Sequence, residues 1–255
     1  MVAVKDIMTK DPVYVDPHDL ATKARSIIRR YGYRALPVVE KGRLVGIVSR
    51  GDIMRITSNK AGIPVGGLMS RNPAMVPENE DIFTAARLLV KSGIRQVLVV
   101  EKGELRGIVS SIDVLRKFLA KDYHPVKKKI SEIMSRGGKN VKPEDRLSVV
   151  WELMQSDGVN GLSVVKDGKV MGVVTRMDLM EKKGARISKE SGKAKAERVE
   201  KIMRTPATTV NPETDTKKAG RIMARKGIIM LPVVDDENRF LGTVDIEDII
   251  NAYLL

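Results

Sequence analysis

Four short segments carry side chains able to handle a phosphorylated ligand: GIVSRGD from Gly46, GIVSSID from Gly107, GVVTRMD from Gly172 and GTVDIED from Gly242. In the first three a hydroxyl precedes a carboxylate by three residues, as Ser49 and Asp52, Ser110 and Asp113, Thr175 and Asp178. Two roles fit this spacing. A Ser or Thr with an acid three residues on is a helix N-cap in capping-box spacing. The same helix start offers free backbone N–H groups and positive dipole charge, to which the hydroxyl adds a donor for phosphate. The aspartate can then accept hydrogen bonds from a vicinal ribose diol. The fourth copy separates the two roles, because Asp245 stands where the others have Ser or Thr. Aspartate caps a helix as well as serine does, but it repels phosphate. The site around Asp248 is therefore expected to be empty or atypical.

A second column of residues points the same way. Arg34, Arg95, Asn160 and Ile229 each stand just before an apolar strand. The two arginines are either bidentate phosphate ligands or solvated surface charges. Copies one and two thus combine hydroxyl, acid and arginine, copy three lacks the arginine, and copy four keeps only Asp248. No catalytic group accompanies them. Cysteine is absent, which excludes disulfides, thiolate zinc ligands and thiol nucleophiles. His18 and His124 read as surface residues, and neither a GxxxxGK[ST] loop nor a GxGxxG turn occurs. The expectation is a binding protein without catalysis, catalytic cofactor or metal.

The motif ends a longer repeat. Met8, Met69, Met134 and Met203 precede Asp52, Asp113, Asp178 and Asp248 by 44, 44, 44 and 45 residues. The extra residue falls in DDENR, a turn, where insertions are tolerated. Each copy reads as a short strand, a helix with apolar positions such as Leu147, Val150, Trp151 and Met154, and a glycine stop at Gly32, Gly93, Gly158 or Gly227. Two apolar strands joined by a tight turn and a closing helix complete it. A β-α-β-β-α unit of roughly 55 residues buries too little surface to stand alone, so copies are expected to pair.

The charge is uneven. The 255 residues carry 46 Lys+Arg and 32 Asp+Glu, a net +14, of which residues 121–142 and 182–204 supply +11. Both stretches read as basic linkers. They motivate an alternative reading, a nucleic-acid-binding protein using its lysines on the phosphate backbone, although 4% aromatic residues leave few stacking platforms. No apolar run approaches the ~20 residues of a membrane span, and MVAVKDIMTK lacks the apolar stretch of a signal peptide. A cytoplasmic protein is expected, and 31% charged residues fit a thermophile.

The repeat, the LPVV strand and G-h-h-[S/T]-x-x-D together resemble the cystathionine-beta-synthase-type (CBS) domain. Four copies, residues 1–60, 61–122, 123–185 and 186–255, resemble two Bateman modules, 1–122 and 123–255, of an α+β fold. The arrangement is similar to the gamma subunit of AMP-activated protein kinase and its stand-alone archaeal relatives. The resemblance implies clefts for adenosine ligands: AMP, ADP, ATP or S-adenosylmethionine. Ribose would be held by Asp52, Asp113, Asp178 and Asp248, and phosphate would lie near Ser49, Ser110 and Thr175. Adenine would lie among Ile47, Ile108 and Val173, with the partner's first strand contributing around Val13, Ala74 and Val141. Arg34 and Arg95 would meet phosphates, whereas Asn160 and Ile229 lack that charge; Ala35, Pro37 and Gln96 complete the implied set. The implied role is a regulatory sensor, with homodimerisation through module faces and with phosphate-rich ligands in the first module. Weaker or uncharged ligands would occupy the second.

Overall fold

The computed structural model describes residues 2–54, 62–156, 158–181 and 197–254. Residues 182–196, most of the second basic stretch, lie outside the described residues, as do the repeat boundaries expected at 60/61 and 185/186.

Repeat 1 holds β1 (Thr9–Lys10), α1 (Ala21–Tyr31), β2 (Ala35–Glu40), β3 (Arg43–Ser49) and α2 (Arg50–Met54). Repeat 2 follows with β4 (Met75–Val76), α3 (Ile82–Lys91), β5 (Gln96–Glu101), β6 (Glu104–Ser110) and α4 (Ser111–Ala120). Repeat 3 has β7 (Ser135–Arg136), β8 (Asn140–Val141), α5 (Leu147–Ser156), β9 (Gly161–Lys166), β10 (Lys169–Thr175) and α6 (Arg176–Glu181). Repeat 4 has α7 (Thr216–Lys226), β11 (Met230–Val234), β12 (Phe240–Asp245) and α8 (Ile246–Asn251). Local rules account for these units. α1 buries Ala21, Ala24 and Ile28 on one face and stops where Gly32 turns left-handed at φ 69°. β2 and β3 pair antiparallel around Lys41 and Gly42, at φ 49° and 81°, the positive values that a two-residue hairpin of right-twisted strands requires.

The opening segments leave their own repeats. β1 pairs with β6 of repeat 2, and Ser70 of repeat 2 bridges Ile47 of repeat 1. β7 pairs with β12 of repeat 4, and Arg204 of repeat 4 bridges Val173 of repeat 3. The two sequence signatures therefore meet across a pair. A Cβ on Gly46 would lie 2.7 Å from the Ser70 carbonyl oxygen and 2.8 Å from Met69 Sδ. On Gly107 it would lie 2.6 Å from Met8 Sδ, and on Gly242 2.1 Å from the Ser135 carbonyl oxygen. The motif glycine is the slot into which the partner's opening Met segment packs.

Repeats 2 and 4 share the largest core, built from α3, α4, α7 and α8. Phe118 is fully buried there, its ring 4.9 Å from Phe83 and 5.2 Å from Tyr253. Repeats 1 and 3 have separate cores that touch through Met180 and Met54, with α6 against α1 and α2. The repeats thus close a ring in the order 1, 2, 4, 3, joined alternately by exchanged strands and by helices. The helical face of repeat 2 is covered by repeat 4 of the same chain.

The first basic stretch is not a free linker. Ile130 is buried, β7 and β8 lie within it, Lys129 pairs with Glu213, and Lys127 lies 4.0 Å from Glu132. Apolar periodicity was low there because the segment holds only one short helical turn and two-residue strands. No helix among the described residues is long and apolar enough to cross a membrane.

Candidate functional site

Each motif sits where a hairpin strand gives way to a helix, and in every copy the aspartate makes its half of the capping box. Asp52 Oδ2 accepts from Ser49 N at 2.9 Å and Ser49 Oγ at 2.6 Å. Asp113 Oδ2 accepts from Ser110 N at 2.9 Å and Oγ at 2.5 Å. Asp178 Oδ2 does so from Thr175 N at 2.7 Å and Oγ1 at 2.6 Å. In repeat 4, Asp248 Oδ2 accepts from Asp245 N at 2.8 Å. The first helical N–H is also spent, since Arg50, Ser111, Arg176 and Ile246 donate to the carbonyls of Arg34, Arg95, Asn160 and Ile229 at 2.9–3.1 Å. A ligand is left with the second carboxylate oxygen, the remaining N–H groups of the helix start and the surrounding side chains. The Asp113 Oδ1 atom has no partner among the described residues.

Those same carbonyl bonds bring the second column of residues beside the motif. Strand register adds the rest: Ala35 lies opposite Ser49, Pro37 opposite Ile47 and Gln96 opposite Ser110. Ile47, Ile108 and Val173 are half-buried, facing Ser70, Thr9 and Arg204 of the partner's opening segment. Ala74 is half-buried and Val13 is 42% exposed. Val141 is a correction. It is 1% exposed and pairs with Val164, as Val15 does with Val38, Val76 with Val99 and Val210 with Val233. Its side chain is core of repeat 3, and the position matching Val13 and Ala74, five residues after the opening Met, is Lys139. Without a proline before β8, the alignment had slipped by two residues, which keeps the same strand face.

The arginines do not behave alike. The Arg34 guanidinium makes no hydrogen bond or ion pair among the described residues; burial, with Arg95 and Arg50 nearby, lowers its pKa to about 10. Arg95 reaches into repeat 4, its Nη2 3.0 Å from Glu247 Oε2 and 3.7 Å from Asp245 Oδ2. Burial raises the pKa of both carboxyls against the pull of Arg95, and lifts Asp248 to about 6. So the atypical fourth copy is a cluster of carboxyls facing the arginine of the second.

Sequence reasoning missed two groups of arginines. Arg204 Nε donates to Asp178 Oδ1 at 2.7 Å, giving repeat 3 the cation that Asn160 denies it. It occupies the place of Thr9, Ser70 and Ser135 in the other openings; the departure was visible, but its destination in another repeat was not. Arg50 and Arg176 start α2 and α6 and tie back to helix C-termini, Arg50 Nε to the Tyr33 carbonyl at 2.7 Å and Arg176 Nε to the Val159 carbonyl at 3.1 Å. Cations are favoured at that end of a helix dipole. No His, Cys, Asp and Glu group among the described residues is arranged to hold a metal ion.

Comparison with known proteins adds the family. The family model for the CBS domain matches residues 4–59, 65–120, 130–184 and 199–255. MJ1404 of Methanocaldococcus jannaschii is 30% identical over 244 residues, 91% of this chain and 57% of its own length. MJ1225 of the same organism is 26% identical, with 98% of each protein covered. The crystal structure of MJ1225, which has been proposed to be an archaeal homologue of gamma-AMPK, covers 98% of this chain with a TM-score of 0.87. A conserved protein of Pyrococcus horikoshii is 25% identical and covers 99% with a TM-score of 0.71.

Proposed function

The chain belongs to the CBS domain family, and we propose that it is a regulatory protein, without catalysis, that binds adenosine nucleotides in the clefts between paired repeats. The observation that carries this reading is the open Oδ1 of Asp113. This atom belongs to a carboxylate already oriented by Ser110 N and Oγ, an arrangement suited to a ribose diol. Half-buried Ile108 faces the partner's Thr9 across the same strand pair, giving an apolar edge for a base. The likeness to MJ1225 along the whole chain supports an energy-sensing role by way of its proposed gamma-AMPK kinship.

Sensing follows from the strand exchange. A ligand between the motif of one repeat and the opening segment of its partner touches both halves of a pair. It therefore favours whichever arrangement of the pair it fits better. Calorimetry with AMP, ADP, ATP and S-adenosylmethionine tests the reading. At least one should bind more tightly than millimolar and lose a site in Asp113→Asn; no binding by any of them overturns it.

A further inference from the structure

Repeat 4 departs from its three sisters at two neighbouring positions, and both departures are acidic. Asp245 replaces Ser49, Ser110 and Thr175, and Glu247 replaces Gly51, Ile112 and Met177. Both carboxylates meet Arg95, the arginine that stands beside the Ser110–Asp113 pair, at 3.7 Å and 3.0 Å. The contact is sheltered, with the Arg95 and Glu247 side chains only 15% and 18% exposed. Arg34, the matching residue of repeat 1, makes no ion pair within 4 Å among the described residues and feels Glu247 only at longer range.

The contact is also incomplete. Arg95 Nη1 and both Glu247 carboxylate oxygens are buried without a hydrogen bond, so the pair is held by charge at a geometry that satisfies neither group. An unmade hydrogen bond at a buried charged group is a large deficit. A phosphate oxygen offering Arg95 a linear bond can therefore compete with the two carboxylates, whereas an uncharged ligand cannot.

We propose that Asp245 and Glu247 are specificity-determining residues that act as a built-in substitute for phosphate at Arg95. They bias the repeat 2 cleft toward adenosine ligands of low charge, while Arg34, without an ion pair among the described residues, leaves repeat 1 more open to polyphosphates. This inference rests on the adenosine reading above and names how two of its clefts differ. It has a mechanical consequence: a polyphosphate entering repeat 2 must break the two ion pairs that join Arg95 to repeat 4, and so loosens the contact between modules.

The test is calorimetric titration of the full chain with ATP and AMP, comparing the natural protein with Asp245→Ser/Glu247→Gln. The double variant restores the repeat 2 cap in repeat 4 and keeps the shape of Glu247; Glu247→Gln alone serves if the pair folds poorly by circular dichroism. ATP is expected to gain about tenfold in affinity at one site, the scale of one charge-assisted hydrogen bond, with AMP changing less than about threefold. Adding Asp113→Asn should abolish that gain, assigning it to repeat 2. An unchanged ATP-to-AMP ratio, or a gain that survives Asp113→Asn, overturns the inference and leaves the adenosine reading standing. Failure of every protein to bind ATP or AMP overturns the inference, and the adenosine reading falls with it only if ADP and S-adenosylmethionine also fail to bind.

Discussion

Replacing Arg204 by Thr, the residue repeat 1 carries as Thr9, separates adenosine binding from phosphate binding in repeat 3. Asp178 is buried, its side chain 5% exposed, and Arg204 Nε holds its Oδ1 at 2.7 Å while the arginine itself is 58% exposed. Removing a fully buried partner strands a charge at a penalty of about 3–5 kcal/mol. Here solvent screens half of the pair, and Thr175 N and Oγ1 still bond the other oxygen, so about 1–2 kcal/mol is the expected loss. For a chain of this size that lowers Tm by roughly 2–8 °C. Ligands should respond in a different pattern. A ribose diol needs the oxygen that Arg204 occupies, so adenosine must displace the guanidinium in the natural protein and need not in the variant. Recovering about 1.4 kcal/mol tightens adenosine about tenfold. AMP gains the same freedom but loses a cation near its phosphate, and its affinity should stay within about threefold. Differential scanning fluorimetry and calorimetry, with Asp178→Asn as the site marker, measure both effects. Equal changes for adenosine and AMP, or no fall in Tm, would refute the account of Arg204 as a cation shared between ribose acid and phosphate.

Two further outcomes follow from the same geometry. The pKa of Asp248 is lifted to about 6 by burial, with Asp245 adding repulsion and Arg95 opposing it. The folded state then holds its proton more tightly than the unfolded chain, and stability falls as pH rises from about 4 through about 6. Asp248→Asn should therefore be more stable than the natural protein at pH 7, by up to about 3 kcal/mol, and equal to it near pH 4 in urea titrations; a difference independent of pH refutes the assignment. Gly242→Ala drives a Cβ to 2.1 Å from the Ser135 carbonyl oxygen and 2.9 Å from Met134 Cε. It should lose about 1–3 kcal/mol by overpacking in the same titrations; an unchanged midpoint would show that the strand exchange tolerates a side chain.

What the sequence made legible is what local chemistry encodes. The left-handed stop at Gly32, the Lys41–Gly42 hairpin and the capping box at Ser110 each depend on residues within a few positions of one another. The pairing of copies was legible in kind, since one repeat cannot bury its own faces. Its form was not. Nothing around Met8 says that it packs on Gly107 rather than on Gly46, because both glycines open the same Gly-Ile-Val-Ser run. The same holds at the site. Arg34 and Arg95 stand in equivalent places within their repeats, yet among the described residues one makes no ion pair and the other is bound by Glu247, some 150 residues away in sequence. Val141 fails for a different reason: an alternating strand reads the same after a two-residue slip, and only pairing with Val164 fixes its register.

The departures of repeat 4 from its sisters are not those of a cleft that has merely lost its ligand. Loss of function would tolerate neutral residues at the positions of the cap, the residue two beyond it and the opening hydroxyl. Instead Asp245, Glu247 and Arg204 are all charged, and each meets an opposite charge that belongs to another repeat's candidate site. Asp245 and Glu247 act on Arg95 through the helical junction; Arg204 acts on Asp178 through the exchanged strand. These are the two kinds of contact that close the ring, so repeat 4 touches both of its neighbours through groups to which the proposed function gives a ligand role. On the proposed reading, a ligand arriving in repeat 2 or repeat 3 would have to displace a contact made by repeat 4.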